Sequence, residues 1–205
     1  MAGYKQRLIE QLISNTAELA KAGMTPATSS NFSARLDAQR CVITVSGRDK
    51  GALTPDDFME VDMSGMALQP ERKASAETLL HTQIYTLRPE AGVVLHTHSM
   101  AQTLLSMRHE AEGFMDLKGY ELLKAFAGIT SHDTSVRIPI VANSQDMPAL
   151  CTAVAPFFQR SDFWGYLIAG HGLYTWGRDM AEARRHMDAF EFLLQAELTK
   201  LGFHA

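Results

Sequence analysis

A chain of 205 residues, 46% hydrophobic and 20% charged, is long enough to bury a core of its own and too apolar for disorder. Its net charge of −4 excludes the basic stripe a nucleic-acid binder carries, and no apolar run reaches membrane-spanning length. Two cysteines, Cys41 and Cys151, stand in neither metal nor redox spacing, and Lys5, Arg7 and Glu10 interrupt the first leucines. The expectation is one soluble domain over 1–205, without a leader peptide, in a reduced, cytoplasmic setting.

Leu8, Ile9, Leu12, Ile13, Leu19 and Ala20 recur at helical spacing, so Tyr4 to Ala22 reads as an amphipathic helix stopped by Gly23. Thr25-Pro26-Ala27-Thr28-Ser29-Ser30-Asn31 is too rich in hydroxyls for regular structure. Phe32 to Leu36 and Cys41 to Ser46 read as paired strands, followed by the polar loop Ser46-Gly47-Arg48-Asp49-Lys50-Gly51. Thr54-Pro55-Asp56-Asp57 has the cap, proline and acids of a short helix start, and Met59 to Leu68 suggests a hairpin around Ser64-Gly65. Helices are predicted over Ser75 to Leu87, Ala101 to Met107, Tyr120 to Ala127 and Asp179 to Leu201, and over Met147 to Gln159 with a break at Pro156. Strands are predicted over Gly92 to Leu95, Val136 to Ala142, Tyr166 to Ala169 and Leu173 to Trp176. Hairpins outnumber strict strand–helix alternation. The fold class is therefore α/β of the α+β type, a mainly antiparallel central sheet flanked by helices.

The stretch with most chemistry is Gly92-Val93-Val94-Leu95-His96-Thr97-His98-Ser99. Residues two apart on a strand share a face, so His96 and His98 project together. Such a pair alone is more often two packed histidines than a ligand pair; a third, in Gly170-His171-Gly172, turns the reading toward a transition-metal site. Thr28, Ser29, Ser30 and Asn31, with Ser46, Gly47 and Ser75, offer the hydroxyls and backbone N–H groups that hold a small phosphate, although such runs are also ordinary turns and caps. Lys50 or Lys73 would add charge if not simply solvated. Glu77 and Glu121 sit near predicted helix starts, where electrostatics alone favours acids, and spacing does not single them out as general acid/base groups. His81, one turn beyond Glu77 on the same face, reads with His109, His132 and His186 as packing or surface. The methionines read as core filling.

Taken in order, Thr28-Ser29-Ser30-Asn31-Phe32-Ser33, Val45-Ser46-Gly47, Lys73-Ala74-Ser75-Ala76-Glu77, His96-Thr97-His98 and Gly170-His171-Gly172 resemble the class II aldolase family over nearly the whole chain. The resemblance implies a three-layer fold assembled as a homotetramer with metal sites near subunit interfaces. It implies Zn²⁺ on His96, His98 and His171, sugar phosphate on the three serine-rich loops, and Glu77 at the position of the aldolases' acid/base carboxylate. Ser46 to Thr54, Ser75 to Thr78 and Gly119-Tyr120-Glu121-Leu122-Leu123-Lys124 are most similar to the family's dehydratase branch, which acts on a methylthio-substituted ketose phosphate in methionine salvage. That likeness implies Glu121 as the catalytic acid/base. Aldol cleavage on the same site, or a non-catalytic binding role, are the other expectations. Ser30 stands where the family commonly has Gly, and Ala74 where it has Pro. Phe114, Met115 and Tyr120 are candidates for an apolar wall around the methylthio tail.

Overall fold

The computed structural model describes residues 2–69, 71, 72, 74, 75 and 77–202. Lys73, and with it any charge it brings to a phosphate, lies outside them.

The long first helix, α1 (Ala2–Lys21), buries Ile9, Leu12 and Leu19 and leaves its opposite side wet, as its spacing requires. Then come β1 (Asn31–Arg35), β2 (Arg40–Thr44) and β3 (Phe58–Asp62). The predicted helix start at Thr54 is a single turn, Pro55–Asp57, closed by the Thr54 N–H on Asp57 Oδ2 at 2.8 Å. The hairpin expected after β3 shrinks to one bridge, Val61 to Ala67. α2 (Thr78–Leu87) begins three residues later than the sequence suggests and leads into β4 (Val93–Thr97) and α3 (Met100–Arg108).

β5 (Phe114–Lys118) was not expected; it pairs with β6 (Ser135–Val141) at the sheet edge. The helix expected over Tyr120 to Ala127 is only a tight turn, Glu121–Ala125, because Leu123 alone among those five is buried. α4 (Met147–Val154) passes into a tighter turn, Ala155–Gln159, at Pro156, which cannot donate to the helical ladder. β7 (Gly165–Ile168), β8 (Gly172–Gly177) and α5 (Met180–Gly202) complete the order.

The eight strands form one sheet in the order β3-β2-β1-β4-β8-β7-β6-β5, antiparallel throughout except for β6 with β7. Alternation along β4 sets the layers. Val93 and Leu95 enter one core with α1, α3 and α5, while Val94 points to a second core with α2, α4, Tyr166, Tyr174 and Trp176. Burying a side chain such as Leu95 stabilises by roughly 1.5–3 kcal/mol. The centre of the sheet is thus clamped on both faces, and the end of β4 is a rigid place from which to aim side chains.

Candidate active site

β4 lies between β1 and β8, with His96 opposite Asn31 on one side and Tyr174 on the other. The buried His96 ring stacks on Tyr174, centroids 3.9 Å apart. Its Nδ1–H donates to the Leu173 carbonyl at 3.0 Å, which leaves the Nε2 lone pair free. Close approach here demands glycine: a Cβ on Gly172 would stand 2.1 Å from the Thr97 carbonyl oxygen and 3.1 Å from His96 Cε1. His171 is delivered by the β7–β8 turn, closed by its own N–H on the Ile168 carbonyl at 3.0 Å with Gly170 left-handed at φ 64°. His98 follows the strand, its N–H donating to the Met24 carbonyl at 2.9 Å. The next residue, Ser99, caps α3 and donates to Glu191 at 2.8 Å. Gln102 ties the segment down by donating to Thr97 Oγ1 and accepting from the Leu173 N–H.

The three rings converge as the sequence predicted, one ligand atom from each lying within 4.8 Å of the others. The Nε2 atoms of His96 and His98 are 2.8 Å apart. Burial pushes the His98 imidazole down to about 4 and His96 well below its ordinary value, so both are neutral lone-pair donors at neutral pH. His171 Nδ1 is buried without a hydrogen-bond partner among the described residues. Three converging imidazoles fit a borderline divalent cation, with the Glu77 carboxylate beside them.

Glu77 approaches this set, its Oε1 3.3 Å from His171 Nε2 and its Oε2 3.6 Å from His96 Nε2. Tyr174 OH donates to Oε2 at 3.3 Å, and Asn31 Nδ2 donates to the same oxygen. Burial raises the carboxyl, but the hydrogen bonds it accepts from His171 and Asn31 outweigh that and hold Glu77 below the usual carboxylate range. Behind Asn31 the donors run in one direction. Since the Asn31 amide gives its N–H to Glu77, its oxygen must accept, and it does so from His81 Nε2. His81 Nδ1 then accepts from Ser33 Oγ at 2.7 Å, and Ser33 accepts from Tyr85 OH at 2.8 Å. His81, read from sequence as packing or surface, is fully buried, pushed down to about 3 by burial, and fixes the orientation of the amide that holds Glu77.

All seven residues proposed for phosphate, Thr28, Ser29, Ser30, Asn31, Ser46, Gly47 and Ser75, line one cavity of about 170 Å³ together with Glu77 and His98. Asn31 contributes differently from the expectation, because its amide is engaged at both ends. Ala27, Thr28 and Ser30 are left-handed at φ 51°, 63° and 75°. Such strain costs on the order of 1–3 kcal/mol per residue. Ser30 thus keeps the conformation that Gly takes freely, helped by its Oγ donating to the Met24 carbonyl, the same oxygen that receives the His98 N–H.

Glu121 is not brought to this site within one subunit. It is 71% exposed and meets Lys124 at 2.5 Å and His132 at 3.4 Å. The apolar wall expected from Phe114, Met115 and Tyr120 does not form there either. β5 lies three strands from β8, about 14 Å away. Arg137 covers Phe114, Met115 is buried in the core, and Tyr120 donates to Glu197.

A sequence profile described as the class II aldolase and adducin N-terminal domain matches residues 10–198. The chain belongs to the class II aldolase and adducin family. Within the family it is 57% identical over 200 residues to methylthioribulose-1-phosphate dehydratase of Xanthomonas campestris pv. campestris strain 8004, covering 98% of this chain and 92% of that one. It is 56% identical over 197 residues to the protein of the same name from Stenotrophomonas maltophilia strain K279a, covering 96% and 92%. Among solved structures, L-fuculose-1-phosphate aldolase from Thermus thermophilus matches with a TM-score of 0.78 at 25% identity, covering 98% of this chain and 99% of that one. YgbL from Escherichia coli shares the fold, with a TM-score of 0.79 at 21% identity and coverage of 94% and 89%. The expected sheet between helix layers is borne out.

Proposed function

We propose that this chain is a metal-dependent lyase that dehydrates 5-methylthioribulose 1-phosphate to 2,3-diketo-5-methylthiopentyl 1-phosphate, a step of methionine salvage. A three-histidine set beside a phosphate-sized cavity serves aldol cleavage equally well. The observation that favours dehydration is the 57% identity to dehydratases along 98% of the chain.

His96, His98 and His171 would hold Zn²⁺, which supplies Lewis-acid polarisation of the substrate carbonyl when bound. The serine-rich loops hold the 1-phosphate, and Glu77, the carboxylate already among the histidines, orients the hydroxyls beside it. A base removes the C3 proton, and the electron pair delocalises into the C2 carbonyl. The C4 hydroxyl then leaves as water with a proton from an acid, and the enol ketonises at C3. We assign both proton transfers to Glu121. As that side chain is exposed on its own subunit, the assignment requires a second copy to present it, in keeping with a homotetramer. The exposed Met100, Leu104 and Met107, on successive turns of α3 close behind His98, support such an assembly. Two free cysteines, Cys41 buried and pushed up to about 12, suit a reducing cytoplasm for this single catalytic domain. No helix among the described residues is long and apolar enough to cross a membrane.

The test is to incubate zinc-loaded protein with methylthioribulose 1-phosphate and identify the phosphorylated product by phosphorus NMR and mass. Loss of one water supports the dehydratase. Dihydroxyacetone phosphate would replace it by C3–C4 cleavage, and a protein that binds no metal would speak for a non-catalytic role.

A further inference from the structure

The cavity presents a charge problem. Among the described residues its lining offers hydroxyls, amide groups and Glu77, but neither lysine nor arginine. A phosphate monoester near −2 at neutral pH would sit against hydroxyl and amide groups beside the Glu77 side chain, with no cationic side chain among those described lining residues.

The missing charge stands directly behind the loops. Lys50 is only 1% exposed, among the largest fully buried side chains of the protein. Its Nζ donates to the Thr28 carbonyl at 3.0 Å and to the Arg48 carbonyl at 2.8 Å, one from each of the first two serine-rich loops. Among the described residues no carboxylate lies within 4.0 Å of that ammonium. The Asp49, Asp57 and Glu77 carboxylates act on it only from beyond contact, so a buried cation held by two carbonyl dipoles has no direct ion-pair partner, and burial without one is costly. An ammonium also has three donors, of which two are used. The Thr28 carbonyl belongs to the left-handed run Ala27, Thr28, so the bond to it also braces that strained backbone.

We propose that Lys50 is the counter-charge of the phosphate subsite, acting from beneath the loops it clamps and selecting a dianionic phosphate monoester over the free sugar. The proposal rests on the reading that these loops hold the substrate's phosphate, not on which bond of the sugar breaks.

The test uses inorganic phosphate as the probe on the intact zinc-loaded protein, with ¹⁵N-lysine labelling to follow the Lys50 ammonium. Phosphate is expected to shift the Lys50 Nζ resonance along the same saturation curve that phosphorus NMR reports. In Lys50→Met and Lys50→Gln, phosphate affinity should fall at least tenfold while zinc content stays at the wild-type value. A wild-type Lys50 resonance that stays fixed while phosphate saturates the protein would overturn the proposal. So would folded variants that bind phosphate within twofold of wild type but melt lower, which would make Lys50 a loop clamp only. Failure of wild-type protein to bind phosphate up to ~10 mM would overturn the subsite itself. The dehydratase reading fails separately, by its product, with Lys50 still answering to phosphate.

Discussion

Glu77 stands 22% exposed among Asn31, Tyr174, His96 and His171, whereas Glu121 is 71% exposed and meets only Lys124 and His132. Both carboxyls are lowered, Glu77 by a buried histidine and amide shell acting against desolvation, Glu121 chiefly by Lys124 in water. One acid is oriented by its own subunit down to a five-membered hydrogen-bond chain. The other is oriented by nothing that would survive a change of rotamer. An acid/base group needs a fixed position relative to the reacting carbon, so Glu121 gains one only from a surface that closes over it.

The largest effect comes from the ligands on which both acids depend. His96→Ala should lose the metal and cut turnover on the order of 10³-fold or more, with metal content by mass spectrometry falling in parallel. Activity surviving without metal would remove the common frame of the comparison. Next, Glu77→Gln and Glu121→Gln should each lower kcat by about 10²–10⁴-fold with zinc retained. Co-expressing the two variants then tests where Glu121 acts. If it serves a neighbour's site, roughly a quarter of the sites in mixed oligomers recover both acids, and activity returns. If mixing restores nothing, Glu121 acts in its own subunit or has no role.

These contrasts follow what a sequence can carry. That the seven residues proposed for phosphate would come together was legible because hydroxyls, glycine and left-handed backbone are local properties, and all seven line one cavity. The triad was legible because strand alternation and a glycine-flanked turn specify where rings point. His81 was not, since its partners Asn31 and Ser33 lie 50 and 48 residues away and no local pattern marks them; its spacing from Glu77 was the one hint. Lys50 resembled a solvated loop lysine until two carbonyls from different segments were seen to hold it. β5 was missed although Met115 and Leu117 point inward and Asp116 and Lys118 less so, because five residues of alternation are a weak signal. Over Glu121–Ala125 the sequence reads as a helix, but a single buried leucine anchors only a turn.

A smaller effect probes how Glu77 is held. His81→Leu removes the donor that fixes the Asn31 amide, which can then flip its oxygen toward the Glu77 carboxylate. kcat should fall about tenfold, a little over 1 kcal/mol, with KM and zinc content unchanged. His81→Gln, which keeps one donor and one acceptor, should recover most of it. Equal loss in both variants would make His81 a packing residue and weaken the contrast with Glu121.

The smallest effect is thermodynamic and separates the titration of His81 from its hydrogen bonds. Unfolded, this imidazole binds a proton below about pH 6.5; folded, burial holds it near 3. Between those values the unfolded chain carries the extra proton, so stability falls as pH drops and rises as pH rises, by at most about 1.4 kcal/mol per pH unit for one such group. His98 and His186, also lowered by burial, add to the same slope and are unaffected by a change at residue 81. Urea unfolding of metal-free protein from pH 6 to pH 4 should therefore give a flatter curve for His81→Gln than for wild type, with turnover of the zinc-loaded variant preserved. Glu121→Gln, a change in an exposed carboxylate, should leave the wild-type slope in place over the same range. An unchanged slope in His81→Gln would mean that the folded protein accepts the proton at residue 81. Once protonated, the ring could no longer accept from Ser33, and the chain from Tyr85 to Glu77 would be broken there.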